Sequence, residues 1–290
     1  MPELPEVETI VRGLNRKIRN KTIKSVKVKV PKLIKSLNTK FVQALRGQKI
    51  VRVSRRAKLI KVELSNKKFL LVHLKMTGQL IFQGESGELT PGGHSTPKGL
   101  ENLPNKFTHI IFTFTDSSQL FYNDLRKFGW MNILSPSAVK NLFKQEYGIE
   151  PLKRGFTFNK FKEILKNKSA SLIKKVLMDQ KSIAGIGNIY ADESCFYAGI
   201  KPNRKIKTLT QKEIKKLWQG IKSILKSAIK LRGTSVSAYL DTDAKPGGYA
   251  FFLKVYSRAG KKCKRRNCNG VIKKIKLAGR GTHYCSKCQK

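Results

Sequence analysis

The sequence predicts an α+β protein in several parts: a β-sandwich or barrel with a helix attached, a helical second half, and a short metal-binding tail. Three observations predict it. Strand-like segments fill much of residues 22–131, amphipathic helical stripes follow up to 232, and four of the five cysteines fall in the last 28 residues.

Taken in order, Val7, Ile10, Val11, Leu14 and Ile18 fall at helical spacing, and Pro5 suits a first turn, where its missing N–H costs nothing. A short arm therefore leads into a helix. VKVKV and IVRV alternate, KLIKVEL and FLLVHLKM follow, and HIIFTFTDSSQLFYN predicts a hairpin turning at Asp116, Ser117 and Ser118. Residues 84–105, rich in Gly, Pro, Ser and Thr, predict a long flexible loop. Beyond them, FNKFKEILKN and SLIKKVLMDQ carry apolar faces. Residues 210–232 predict the clearest helix, with a Thr210/Glu213 capping box, a stripe of Ile214, Leu217, Trp218, Ile221, Leu225 and Ala228, and Gly233 at the C-terminal end. AFFLKVY is strand-like and leads into the cysteines.

The 290 residues can bury a real core, and a hydrophobic content of 40% argues against global disorder. Sixty-one Lys and Arg against 18 Asp and Glu give +43, the electrostatic footprint of a polyanion binder. A lysine-rich proteome would inflate that figure, so its sign is more informative than its size. No apolar run reaches membrane-spanning length, and the acidic N-terminus lacks the apolar core of a signal peptide. Five clustered cysteines do not resemble a secreted disulfide framework. An intracellular nucleic-acid-binding protein is the expectation.

Cys263, Cys268, Cys285 and Cys288 are the most specific local signal, since two cysteine pairs can surround one tetrahedral Zn²⁺. The second pair has the usual two-residue spacing, and the first holds four residues, KRRN. Free or redox-active thiols are the alternative, and His283 is a competing ligand. Cys195, alone in SCFYAG, fits a buried small hydrophobe. AGIGNIYADE places glycines and Asn188 before a helix, where free amides can hold a phosphate, although a Gly-x-Gly turn is more often only a turn.

The opening MPELPEVE has two readings. With Met1 removed, Pro2 presents a secondary amine that titrates below lysine, and Glu3 beside it could act as acid or base. Alternatively, the carboxylates simply favour the helix N-terminus. Composition alone favours the second.

MPELPEVETIVRGL, RRAKLI, HLKMTGQL, NDLRKFGW, LMDQKSIAGIGNIYADE and IKLAGRGTHYCSKCQ together resemble bacterial formamidopyrimidine-DNA glycosylases, zinc-finger, helix-two-turn-helix enzymes that remove oxidised purines. The blocks run from residue 2 to the C-terminus in order. The resemblance implies a catalytic β-sandwich domain at 2–135, a linker at 136–150, a helix-two-turn-helix domain at 151–235, a lesion-capping loop and connecting strand at 236–254, and a β-hairpin zinc finger at 255–290. It makes Pro2 the nucleophile, Glu3 its acid/base partner, Glu6 a supporting carboxylate and Lys58 a lysine that contacts phosphate and helps excision. Met76, Arg126 and Phe128 correspond to side chains that fill the gap left by an extruded base; His73, Lys174, Asn188 and Arg280 correspond to phosphate contacts. The segment 235–248 lies where the family closes over that base. One structural Zn²⁺ on Cys263, Cys268, Cys285 and Cys288, no redox or nucleotide cofactor, damaged double-stranded DNA as partner, a monomeric state and a cytoplasmic, nucleoid-associated location are the accompanying expectations.

A sister enzyme for oxidised pyrimidines typically carries PEGPE where this chain has PELPE. A catalytically silent damage-binding module would be expected to lose Pro2 first. A packaging protein explains the charge and none of the six blocks.

Overall fold

A computed structural model describes residues 1–94, 102–235, 239–240 and 246–290. The chain forms two compact units, Met1–Phe143 with Leu231–Gly248, and Lys144–Lys230 with Tyr249–Lys290.

In the first unit, helix α1 (Leu4–Ile18) buries Val7, Ile10, Leu14 and Ile18, the predicted stripe. Strands β1 (Ile23–Val28), β7 (Thr108–Phe114), β8 (Gln119–Asp124), β5 (Gly78–Gln83), β6 (Leu89–His94) and β10 (Tyr239–Leu240) form a six-stranded sheet in that order. Strands β2 (Ile50–Arg56), β3 (Leu59–Leu64), β4 (Phe69–His73) and β9 (Trp130–Leu134) form a four-stranded one. Leu80, Phe82, Phe112 and Phe114 from the first sheet share one core with Val53, Val62, Val72 and Met131 from the second and with the α1 stripe. That shared core makes a sandwich with a helix attached. The expected hairpin is β7–β8: Ser117 turns at φ 65°, and the Asp116 carboxylate accepts from the Ser118 amide at 3.1 Å.

Two expectations are corrected here. Residues 89–94, expected within a loop, are strand β6, paired with β5 on one side and β10 on the other. Pro91, Gly92 and Gly93 lower its intrinsic propensity, but Gly93 lets the strands approach closely: a Cβ there would lie 2.6 Å from the Gly78 carbonyl. Residues 95–101, the remainder of that expected loop's centre, lie outside the described residues, as do 236–238 and 241–245 of the expected capping loop. Helix α2 (Asn38–Leu45), with Phe41 and Leu45 buried, interrupts what the sequence presents as continuous strand texture.

Helix α3 (Pro136–Glu146) lies mostly in the first unit, where Val139 clusters with Leu59 and Leu71, and occupies most of the stretch expected as a linker; the second unit begins at its last turn. Helix α3 is followed by α4 (Phe158–Lys166), α5 (Ile173–Met178), α6 (Asn188–Ala198) and α7 (Gln211–Lys230). Thr157 caps α4 by accepting from the Lys160 amide at 3.2 Å. The capping box of α7 forms as expected, with the Thr210 amide donating to Glu213 at 2.8 Å. Its stripe is core, and Trp218 on its flank donates to the Phe156 carbonyl at 3.0 Å.

AFFLKVY is not a strand. Tyr249–Phe252 form a 3-10 turn, after which the amides of Lys254, Val255 and Tyr256 converge on the buried carboxylate of Glu193 at 2.9–3.1 Å. A carboxylate collecting three successive N–H groups takes the donors a neighbouring strand would need. Strands β11 (Ile272–Leu277) and β12 (Arg280–Cys285) then form the C-terminal hairpin. No helix among the described residues is long and apolar enough to cross a membrane.

Candidate active site and nucleic-acid interface

Pro2 is buried immediately ahead of α1, and Glu3 is the helix N-cap. The Glu3 amide donates to Glu6 Oε2 at 2.8 Å, closing one arm of a capping box that holds the start of the chain in place. Glu6 Oε1 accepts from the Thr234 amide, also at 2.8 Å. One carboxylate thus ties the N-terminal arm to the root of segment 235–248. The approach requires a glycine at 233: φ is +86°, and a Cβ would meet Glu6 Cγ at 2.9 Å. Gly247 N donates to Ser235 Oγ at 2.8 Å and closes that root.

Lys58 lies in the turn between β2 and β3, 5% exposed, behind Ala57 at φ 54°. Arg55 links this turn to α1: its Nε pairs with Glu8 at 2.6 Å and its Nη1 donates to the Ala57 carbonyl at 3.4 Å. Glu8 is therefore an orienting residue that the sequence presents only as another acid in the arm. Its partners Arg55 and Arg12 hold its carboxyl below the ordinary value against the opposing effect of burial.

His73 ends β4. Its Nδ1 accepts from the Lys75 amide at 3.0 Å, which leaves the proton on Nε2. Burial first, then the charges of Lys75, Lys58 and Lys35, lower its pKa to about 3. At neutral pH it is an uncharged N–H donor.

Met76 and Phe128 are exposed apolar side chains, 37% and 53%, on two separate loops. The Arg126 guanidinium lies over the Phe128 ring, 4.5 Å from its centroid. Lys127 between them has φ 54°, and residues 125–128 are all exposed while Asp124 and Gly129 on either side are buried.

In the second unit, Arg280 is exposed at the start of β12. Lys174, expected at a phosphate, is placed otherwise: it is 2% exposed, paired with Asp192 at 2.6 Å, and donates to Thr282 Oγ1 at 2.7 Å and the Gly281 carbonyl at 3.3 Å. Asn188 Nδ2 donates to the same carbonyl at 2.9 Å. Both side chains thus hold the residue next to Arg280. Asp192 also accepts from the His283 amide at 2.8 Å and faces His283 Nδ1 at 3.3 Å. This network is the feature sequence reading missed most completely; a single Asp within a helix gives no signal for it.

The sulfurs of Cys263, Cys268, Cys285 and Cys288 lie within 4.8 Å of one another, with closest pairs at 3.8 and 3.6 Å. Zn–S bonds of about 2.3 Å in a tetrahedron put sulfurs roughly 3.8 Å apart, so four thiolates fit one Zn²⁺. His283, directed at Asp192 and Tyr256, is outside the set. The widened first pair places Arg265 over the Phe196 ring at 4.7 Å and in a hydrogen bond to the Phe196 carbonyl, so the extra residues fasten the finger to the C-terminal end of α6. Cys195 is fully buried, and burial pushes its thiol pKa up, which makes it inert.

Three family models match along the chain: the formamidopyrimidine-DNA glycosylase N-terminal domain at residues 1–131, the formamidopyrimidine-DNA glycosylase H2TH domain at 147–239, and the zinc finger found in FPG and IleRS at 260–290. Among similar proteins, the formamidopyrimidine-DNA glycosylase of Carboxydothermus hydrogenoformans is 42% identical over 291 residues, covering 100% of both chains. That of Pelotomaculum thermopropionicum is 40% identical, covering 100% of this chain and 99% of the relative. A solved complex between the Lactococcus lactis Fpg and an abasic site containing DNA superposes with a TM-score of 0.88 at 35% identity, covering 99% of each chain. With its helix-fronted sandwich, helical domain and four-cysteine hairpin matched over their whole length, this chain belongs to the formamidopyrimidine-DNA glycosylase family.

Proposed function

We propose that the protein is a bifunctional DNA glycosylase and abasic-site lyase that excises oxidised purines, 8-oxoguanine and formamidopyrimidines, from duplex DNA. The observation that carries it is the setting of Pro2 and Glu3, buried at the head of α1 and tied by Glu6 to the root of the segment expected to close over the lesion.

The chemistry follows from that setting. A base cannot be attacked at C1′ inside the stack, so the nucleotide rotates out, at a cost of roughly a few kcal/mol. Removal of Met1 frees the Pro2 nitrogen as a secondary amine. Its lone pair forms a bond to C1′, and the base leaves with the electrons of the glycosidic bond and takes up a proton. The attached nitrogen gives up its N–H proton, and its lone pair then forms the C=N bond as the C1′–O4′ bond breaks and the ring oxygen takes up a proton, leaving an iminium between Pro2 and C1′. That cation acidifies the C2′ hydrogen; its removal expels the 3′ phosphate, and a second elimination expels the 5′ phosphate. Glu3 is the acid/base residue for these transfers. Lys58 holds phosphate beside the reaction, His73 donates Nε2–H to phosphate as a neutral group, and Arg280 contacts phosphate from the hairpin. The zinc stabilises the fold of that hairpin and takes no part in the reaction.

Base release is the test. Under single turnover, duplexes carrying 8-oxoguanine should lose the base and be nicked on both sides of the gap, while matched duplexes carrying an oxidised pyrimidine should react much more slowly. The opposite ranking would favour the pyrimidine enzyme of the same fold, to which the Pro2–Glu3 arrangement is equally suited.

A further inference from the structure

Asp124 ends β8 with its side chain fully buried (0% exposed), and the proposed reaction does not use it. A carboxylate out of water is costly unless donors surround it. Here they do. Oδ1 accepts from the Thr77 hydroxyl and, at 3.2 Å, from the Arg126 amide; Oδ2 accepts from the Gly129 amide at 2.7 Å and faces the Tyr122 hydroxyl at 3.4 Å. Thr77 Oγ1 in turn accepts from the Arg126 amide at 3.0 Å. The main chain of Asp124 is held as well, by the Phe107 carbonyl at 3.1 Å and by His109 Nε2 at 2.8 Å from its own carbonyl.

A bond from an Asp side chain to the amide two residues on is a common local turn device and would by itself mean no more than that. Two further bonds go beyond it. Oδ2 to Gly129 closes the exposed run 125–128 at its far end, so Arg126 and Phe128 project from a loop fastened at both feet. Thr77 comes from a different loop, the one that presents Met76. Gly129 completes the closure: a Cβ there would stand 1.7 Å from the Tyr122 hydroxyl and 2.9 Å from the His73 carbonyl.

We propose that Asp124 is the positioning residue for base extrusion, its carboxylate fixing the loops of Met76 and of Arg126 and Phe128 in one arrangement. It rests on the reading of those three side chains as the wedge. A wedge has to enter the gap while the base leaves, and a misplacement of about 1 Å in such a group can lower a rate by about 100-fold. Nothing in it is needed for attraction to undamaged duplex, which follows phosphate contacts.

The test compares Asp124→Asn with Met76→Ala and Phe128→Ala in three assays: excision from an 8-oxoguanine duplex, cleavage of an abasic duplex, and affinity for plain duplex. Melting temperature serves as the fold control. An asparagine turns an N–H₂ towards either the Gly129 amide or the pair Thr77 and Arg126, so one foot of the loop opens. Excision should fall about 10- to 100-fold, abasic cleavage much less, and plain-duplex affinity little. Fluorescence of 2-aminopurine beside the lesion should report slower unstacking. Combined with Phe128→Ala, the Asn change should add little further, because the two act through one loop. Should Asp124→Asn not fold, Thr77→Val removes one hydroxyl, the donor to Asp124 and an acceptor for the Arg126 amide, and should show the same pattern more weakly, with Thr77→Ser restoring excision. Equal losses in all three assays, in step with melting temperature, would reduce Asp124 to a fold residue. If Met76→Ala and Phe128→Ala spare excision, the wedge reading fails and takes this proposal with it. If they impair it while Asp124→Asn and Thr77→Val do not, this proposal alone fails.

Discussion

The carboxylate of Glu6 receives the Thr234 amide at 2.8 Å, joining residues 228 positions apart, while its other oxygen receives the amide of Glu3. The root of segment 235–248 and the arm that carries Pro2 are therefore fixed by one side chain. Glu6→Gln keeps the shape but sets an N–H₂ against one of the two amides, leaving a buried donor unpaired at about 1–3 kcal/mol. Excision should drop by an order of magnitude or more with plain-duplex affinity unchanged. Single-turnover rates beside fluorescence anisotropy on undamaged DNA would show it; a parallel loss of affinity would point to general misfolding.

His73 gives a pH signature. Its folded pKa, about 3, lies below the ordinary 6.5, so between those values the unfolded chain binds a proton that the folded one does not. Its contribution to stability is present above pH 6.5 and is lost as pH falls towards 3. His73→Gln should remove that component: urea unfolding should show the variant losing less stability than the parent between pH 6.5 and 4, by up to a few kcal/mol. Identical pH profiles would mean the histidine is not held neutral.

Lys174 and Arg280 should separate in salt. A lysine on a phosphate contributes about one unit to the slope of log affinity against log salt, and Arg280 should behave so on substitution. Lys174→Met should leave the slope unchanged and instead strand Asp192, at about 3–5 kcal/mol of stability in the second unit. A slope reduced by about one in Lys174→Met would return that residue to the phosphates.

Zinc removal should act on the hairpin. Cys285→Ser, or chelation, should release about one zinc per chain, weaken duplex binding and leave the sandwich core folded. Arg265→Ala should loosen metal retention without altering the stoichiometry, because the arginine fastens the finger at Phe196 rather than binding the ion. Metal analysis with near-UV circular dichroism reads both. Full activity without zinc would contradict the assignment.

Much of this was legible from the residues. The α1 stripe, the β7–β8 turn and the α7 capping box are set by neighbours within a few positions, and periodicity exposes them. Strand β6 was not legible, because two flanking strands rather than the propensity of Pro91, Gly92 and Gly93 hold it extended. Nor was the fate of AFFLKVY, decided by Glu193 some 60 residues earlier. The site divides the same way. Its motif residues could be identified by resemblance, whereas Glu8, Asp124 and Asp192 act through distant partners, Arg55, Thr77 and Lys174, which no local spacing reveals.

The central claim is that the Pro2 amine is the nucleophile, and borohydride trapping tests it most directly. Reduction during reaction with an 8-oxoguanine duplex should convert the iminium to a stable protein–DNA adduct that peptide mapping assigns to the N-terminal residue of a chain lacking Met1. Pro2→Gly or a retained Met1 should nearly abolish the adduct, and Glu3→Gln should bind lesion DNA without releasing the base. An adduct mapped to Lys58, or full trapping with Met1 in place, would contradict the account.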